Sequence, residues 1–94
     1  MNKYVIVRSY GAGVFAGYIE SRNGREVVMI NARRLFRWYG AATLSQLAMD
    51  GTSLPEDCKF PCEVNRVTIL EAVEIIETTD KAEKSIKSVK IWEE

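Results

Sequence analysis

The fold is decided by Val14-Phe-Ala-Gly-Tyr-Ile-Glu-Ser-Arg22, followed by Asn23-Gly24 and then by Arg25-Glu-Val-Val-Met-Ile30. Two runs rich in β-branched and aromatic residues flank an Asn-Gly pair, which is typical of a β-hairpin. A two-residue type I′ turn needs positive φ at both central residues, so we predict that turn at Asn23-Gly24. Gly17 interrupts the first arm and indicates either a bulge or a close approach of another backbone.

Other strand patterns lie on both sides of this hairpin. Residues 3–8 are β-branched and aromatic and predict a strand, which ends at the turn residues 10–13. Residues 31–40 fit a strand or a helix, and their aromatic content favours an extended segment. Residues 67–78 are equally ambiguous, and their enrichment in Ile, Val and Thr favours a strand.

Two short helices complete the pattern. Thr43 can cap a helix over residues 44–50 that ends at Gly51. Asp80-x-x-Glu83 resembles a capping box, and the apolar residues after it recur at helical spacing. The sequence therefore predicts a single α+β domain over residues 1–94, with a small antiparallel β-sheet and two short helices. We expect Ile91-Trp92 to pack back on the domain or to pair with a neighbouring segment.

Size and charge bound what the chain can do. A domain of 94 residues buries only about 60–65% of the surface of its unfolded chain, which favours a homo-oligomer that adds buried apolar area. Residues 1–40 carry seven basic and two acidic residues, whereas residues 67–94 carry four and seven. Formal net charge is zero and the pI is about 6.3, which argues against a nucleic-acid-binding protein because phosphate neutralisation dominates such affinity.

The residue types exclude several classes of enzyme. The sequence has no histidine, so Ser-His-Asp, Cys-His and histidine-based metal sites are excluded. Cys58 and Cys62 cannot build a zinc site alone, and we expect free thiols. The glycine spacing matches neither a P-loop nor a dinucleotide fingerprint. We therefore expect a non-enzymatic, cytoplasmic protein without metal, cofactor, secretory signal or membrane helix.

One segment suggests a ligand. Arginines interleaved with aromatic residues offer planar phosphate donors and flat faces for a base, and a nucleotide needs both groups in one place. Small residues at 40–42 lead into a helix start, where backbone N–H groups suit an anion. The candidate ligand-binding residues are Asn31, Arg33, Arg34, Arg37, Trp38, Tyr39, Ser45 and Gln46. The alternative is that Phe36 and Trp38 are core, the arginines form surface ion pairs and the helix is ordinarily capped.

Several of these stretches resemble a family of short tailed-bacteriophage proteins that carries a domain of unknown function. The resemblance rests mainly on Asn31-Ala-Arg-Arg-Leu35, Leu44-Ser-Gln-Leu-Ala48 and Cys58-Lys-Phe-Pro61. It implies a phage protein in the cytoplasm of an infected bacterial cell, and it supplies no binding or catalytic residues.

By analogy with small phage proteins that act by binding, we expect a homo-oligomer that sequesters a nucleotide-derived signal of anti-phage defence. The main alternative is an interaction module that inhibits a host protein through exposed aromatic anchors. A nucleic-acid binder ranks below both, and an enzyme acting on the same nucleotides ranks last.

Overall fold

Five antiparallel strands form one sheet in the order β4-β3-β2-β1-β5. The computed structural model describes residues 3–94, and the predicted α+β class, antiparallel sheet and two short helices are confirmed. The elements are β1 (Tyr4–Ser9), β2 (Gly13–Asn23), β3 (Glu26–Arg34), α1 (Leu44–Asp50), a 3-10 turn (Pro55–Asp57), β4 (Glu63–Ile69), β5 (Glu74–Glu77) and α2 (Asp80–Ser88).

The hairpin of β2 and β3 is present, but its turn lies one residue later than predicted. Asn23 still pairs with Glu26, so Gly24 and Arg25 are the two connecting residues. Gly24 has a φ of 62°, whereas Arg25 does not have a positive φ. A single positive φ at the first connecting position is the pattern of a type II′ turn, in which Gly takes that position.

Gly17 accounts for the bend in this hairpin. The register between β2 and β3 shifts there, so that Asn31 and Ala32 of β3 lie opposite one residue of β2. Asn31 has a φ of 47°, a left-handed conformation that Asn tolerates better than most residues. A Cβ added to Gly17 would lie 2.7 Å from the Cα of Ala32. The bulge and the close backbone approach that the sequence suggested are both confirmed.

The sheet curls around one of its apolar faces, because the residues on that face are buried and those of its core cluster all come from the strands. The link over residues 70–73 joins the two edge strands, and its Ala72 and Val73 N–H groups donate to the carbonyls of Arg25 and Arg8, both at 2.8 Å. The link therefore ties the hairpin tip to the end of β1. The residues enclosed by this curl form the inner core: Val5, Val7, Phe15, Val27, Met29, Ala32 and Ile69.

The other face of the sheet packs against both helices and forms the outer core. It contains Tyr4 and Ile6 of β1, with Leu47 of α1, Ile86 of α2 and Phe60 of the loop before β4. Their burial removes apolar surface from water, at roughly 25 cal/mol per Å². The two short helices are thus stabilised by packing of their apolar residues against the sheet.

The helix boundaries follow from two threonine caps. The Thr43 hydroxyl accepts the Gln46 N–H and α1 ends at Gly51, as predicted. The cap of α2 is Thr79 rather than Asp80, since the Thr79 hydroxyl accepts the N–H of Ala82 at 3.1 Å. Asp80 is instead the first helical residue, where its negative charge favours the helix dipole. Among residues 3–94, no helix is long and apolar enough to cross a membrane.

Residues 67–78 are not the single strand that their composition favoured. β4 ends at Ile69 and β5 begins at Glu74, and these two strands lie at opposite edges of the sheet. Both strand segments share β-branched composition, so composition alone does not reveal the break between them. Residues 31–40 are extended up to Arg34, after which Arg37 forms an isolated antiparallel bridge with Lys59.

Candidate ligand-binding surface

Arg33 is buried, with 3% of its surface exposed, and its side chain donates hydrogen bonds to backbone carbonyls. Its Nε donates to Pro61 at 3.0 Å, and its Nη2 donates to Phe60 at 2.7 Å. Its Nη1 donates to Ile86 at 3.0 Å and to Val89 at 2.9 Å. We call this arrangement the arginine clamp, because one guanidinium joins β3 to the loop before β4 and to the C-terminal end of α2.

The charge of Arg33 is stabilised without a carboxylate in ion-pair range among residues 3–94. Burial lowers the pKa of the guanidinium, while Tyr4 and Glu63 act in the opposite direction. Arginine keeps its charge under these conditions, and the carbonyls at the end of α2 present the negative pole of the helix dipole to it. The sequence placed Arg33 on a ligand phosphate, whereas the structure occupies four of its five N–H donors with the protein's own backbone.

Arg34 lies on the other side of the sheet. Its Cζ is 4.4 Å from the centroid of the Phe15 ring, and its Nη1 donates to the carbonyl of Ala12. Consecutive residues of a strand point to opposite faces, so Arg33 and Arg34 diverge. Within one chain, the structure does not bring the predicted set of three arginines together.

The remaining predicted residues divide between structural and exposed positions. Gln46 closes the start of α1, since its Oε1 accepts the N–H of Ala42 at 2.7 Å. Trp38 packs against the outer core, as the alternative interpretation predicted for it. Ser45 and Tyr39 are exposed, and the Tyr39 N–H lies 3.4 Å from the Sγ of Cys58. Asn31 holds the bulge of β3.

Phe36 is exposed, contrary to the core position that the alternative interpretation gave it, and it stacks on Trp92. The two ring centroids are 5.3 Å apart and the ring planes differ by 5°. Phe36 is 54% exposed and Trp92 46% exposed, so a large aromatic area faces water. The N–H of Trp92 donates to the carbonyl of Phe60 at 3.0 Å, which fixes the C-terminal segment beside the sheet.

Lys59 lies against this stack, and Arg37 pairs with Lys59 through the backbone. The Nζ of Lys59 lies 5.4 Å from the Trp92 ring centroid, within range of a cation–π contact. Arg37 and Lys59 exchange both backbone hydrogen bonds, at 3.3 and 2.7 Å, and directly opposed antiparallel residues present their side chains on one face. We call Phe36, Arg37, Lys59 and Trp92 the aromatic surface.

A groove of about 700 Å³ adjoins Trp92. Its charged walls are Lys90 and the carboxylates Glu56 and Glu93. Its size falls within the range of about 300–1,000 Å³ typical of small-molecule sites. Cys58 is a buried free thiol and Cys62 an exposed one, as the sequence predicted. Sequence reasoning missed the pairing of Phe36 with Trp92, because 56 positions separate the two and no local pattern links them.

A second polar cluster joins α2 to β2 and lies outside this surface. The Tyr18 hydroxyl donates to Glu83 at 2.7 Å and accepts from Lys87 at 2.8 Å. The hydrogen bond to Tyr18 raises the pKa of Lys87. The neighbouring Tyr4 hydroxyl is buried and has no hydrogen-bond partner among residues 3–94, and burial raises the pKa of Tyr4. We assign this cluster to the attachment of α2.

The comparisons with known proteins establish the family. Residues 2–86 match a family described as a domain of unknown function (DUF6948). Because the match covers most of the chain, this protein belongs to that family. No curated protein and no solved structure matches it.

Proposed function

We propose that this member of the DUF6948 family is a non-enzymatic binding protein that holds a nucleotide-class ligand on the aromatic surface. The observation that carries the proposal is the exposed, parallel stack of Phe36 and Trp92 with the ammonium of Lys59 at its edge. A flat aromatic face and a neighbouring cation are the two features that a base with a phosphate needs together.

The energetics of stacking support this ligand class. Stacking of a base on an aromatic side chain contributes about 1–3 kcal/mol and tolerates any base, since every base has a π face. The two protein rings are already held parallel. Binding of a ligand ring therefore costs little additional side-chain entropy. Lys59 supplies positive charge beside the stack, and the groove next to Trp92 has room for the rest of a nucleotide.

We extend the proposal to the biological role that the resemblance suggests. A phage protein of this kind would act in the infected bacterial cytoplasm, as a homo-oligomer that sequesters a nucleotide-derived signalling molecule of anti-phage defence. Sequestration requires binding and slow release rather than bond cleavage, so the captured ligand would leave the protein chemically intact.

Native mass spectrometry of protein purified from defence-active bacterial lysate tests both parts. We expect a discrete oligomer with a small-molecule adduct that is released intact on denaturation. Calorimetric titrations with cyclic dinucleotides and ADP-ribose derivatives then compare the wild type with Trp92→Ala and with the control Leu70→Ala. Leu70 is 73% exposed and lies in the link between β4 and β5, away from the aromatic surface.

The proposal predicts that Trp92→Ala weakens binding by about 5- to 150-fold, the equivalent of 1–3 kcal/mol. Leu70→Ala should bind like the wild type. Equal affinity in all three proteins would place the ligand elsewhere, and a wild type that binds none of these compounds would overturn the ligand class. A single-stranded oligonucleotide, titrated at low salt in the same series, should give no signal.

A second candidate function, inhibition of a host protein, is favoured by the exposed apolar residues around the groove. Leu54, Tyr39 and Ile91 are between 42% and 46% exposed, and aromatic residues surrounded by apolar contacts are typical interface anchors. A host protein recovered stoichiometrically with the wild type and lost with Ile91→Asp, in the absence of any nucleotide adduct, would establish this candidate instead.

A further inference from the structure

We infer that Arg33 is a positioning residue of the aromatic surface, because the arginine clamp holds the segments that carry Trp92 and Lys59. The inference rests on the proposed function for the meaning of that surface, but its structural content stands on the clamp alone. Arg33 was a candidate for direct ligand contact. Its buried guanidinium instead acts on the ligand-binding surface through the backbone.

Three chain segments build the aromatic surface. Phe36 and Arg37 follow β3, Lys59 precedes β4, and Trp92 follows α2. Arg33 belongs to the first segment and donates hydrogen bonds into the other two, to Phe60 next to Lys59 and to Val89 three residues before Trp92. One side chain thus joins all three segments.

The most direct coupling of Arg33 to Trp92 passes through the Phe60 carbonyl. The oxygen of Phe60 accepts from Nη2 of Arg33 at 2.7 Å and from the N–H of Trp92 at 3.0 Å. Arg33 is therefore one hydrogen-bonded group away from the residue that supplies half of the stack. Further contacts of the C-terminal segment are the bridge between Phe60 and Ile91, the stack on Phe36 and the contact of Lys59 with the Trp92 ring. The bridge depends on the position of Phe60.

The geometry requires a guanidinium. Four carbonyls from two segments surround Arg33, and its planar fork reaches all of them from three nitrogens. A lysine ammonium donates three bonds from one point on a flexible stem. Arg33→Lys therefore keeps the charge and loses the simultaneous contact with the loop before β4 and the end of α2.

The test reads Trp92 directly and needs no ligand. The chain has two tryptophans, so Trp38→Phe leaves Trp92 as the sole reporter. In this background we compare Arg33→Lys with Val27→Ala, a destabilising change in the inner core at the opposite end of β3 from Arg33. The readouts are near-UV circular dichroism, acrylamide quenching of Trp92 fluorescence, and far-UV circular dichroism as a check of folding.

We expect Arg33→Lys to lose the near-UV band of Trp92 and to raise its quenching constant toward that of free tryptophan, with far-UV dichroism retained. Val27→Ala should keep both Trp92 signals at the parent values. Unchanged Trp92 signals in folded Arg33→Lys would overturn the inference, and so would equal losses in the two variants. Failure of the wild type to bind nucleotides would end the proposed function and leave this result unaffected.

Should Arg33→Lys not fold, hydrogen exchange of the wild type decides the question. A clamped C-terminal segment predicts that the Trp92 amide is protected and opens together with the amide of Val89. A Trp92 amide that exchanges at the rate of an unprotected peptide, while the Val89 amide stays protected, would overturn the inference.

Discussion

The arginine clamp and the aromatic surface contain residues only three positions apart in the chain, Arg33 and Phe36. The first is buried and the second is exposed to solvent. Arg33 is buried and its donors are occupied by backbone carbonyls, whereas Phe36 leaves 54% of its area to water. Both regions combine an arginine with an aromatic ring, since Arg33 also lies 5.4 Å from the Phe60 ring. An Arg/aromatic sequence pattern therefore identifies a region of interest. It does not distinguish the residues that stabilise the region from those exposed for binding.

The bulge opposite Gly17 decides which residue takes which role. Strict alternation from the buried Met29 would turn Arg33 toward the inner core. Asn31 adopts a left-handed conformation instead, so that Ala32 enters the inner core and Arg33 faces the helices. Asn31 thus interrupts the alternation of side chains along β3 and places the Arg33 guanidinium where the carbonyls of two segments meet.

The largest expected effect breaks the clamp. Arg33→Ala removes four hydrogen bonds to backbone carbonyls from a buried site, and we expect the free energy of unfolding to fall by about 3–5 kcal/mol. Arg34→Ala is the matched control, since it removes an exposed arginine with a single backbone hydrogen bond. Urea denaturation of both variants measures the difference.

Similar losses in the two variants would contradict the contrast between a buried and an exposed arginine. Should Arg33→Ala fail to express as a folded protein, Arg33→Gln, which keeps two donors, is expected to lie between Arg33→Ala and the wild type. A Gln variant as unstable as the Ala variant would show that side-chain volume and two N–H donors restore none of the stability that the guanidinium provides.

The next effect acts on the bulge. Gly17→Ala places a Cβ 2.7 Å from the Cα and the Cβ of Ala32, and overpacking of this kind costs about 1–3 kcal/mol. Gly11→Ala is the control, because a Cβ there meets nothing within 4 Å. Thermal unfolding should separate the two variants by several degrees, and equal midpoints would show that β3 moves away from Gly17 without cost.

The sequence predicts the elements of this fold better than their arrangement. The Asn-Gly pair, the Gly17 irregularity, the Thr43 cap and the periodicity before Val89 are local signals, and each lies in or beside the element it predicted. The separation of β4 from β5 depends on a link that binds Arg25 and Arg8, which no local pattern encodes. The aromatic surface was predicted in part, because Trp92 reaches Phe36 only through the tertiary fold.

A smaller effect concerns the buried hydroxyl beside the clamp. Tyr4→Phe removes a hydroxyl that has no hydrogen-bond partner, and we expect stability at neutral pH to stay equal or to rise by about 1 kcal/mol. Burial raises the pKa of Tyr4 in the folded protein, so the folded state keeps a proton that the unfolded chain releases above about pH 10.

Tyr4 therefore destabilises the fold as the pH rises above the pKa of an ordinary tyrosine. Tyr4→Phe should reduce this loss of unfolding free energy at alkaline pH. Denaturation curves at neutral pH and above pH 10 measure it, with Tyr10→Phe as the control because Tyr10 is 79% exposed. A neutral-pH loss in Tyr4→Phe would indicate that the hydroxyl has a partner in solution, such as a water bound beside Arg33.

The last expected effect on stability is a small one and belongs to the aromatic surface. Phe36→Ala and Trp92→Ala remove rings that are about half exposed, so each change should cost far less than Arg33→Ala. The double variant should reveal a coupling of about 0.5–1.5 kcal/mol, the contribution of an aromatic pair beyond buried area. A stack maintained for folding would show a large coupling and no effect on ligand binding. A stack maintained for a ligand would show a small coupling and, in either single variant, a loss of nucleotide affinity that exceeds its loss of stability.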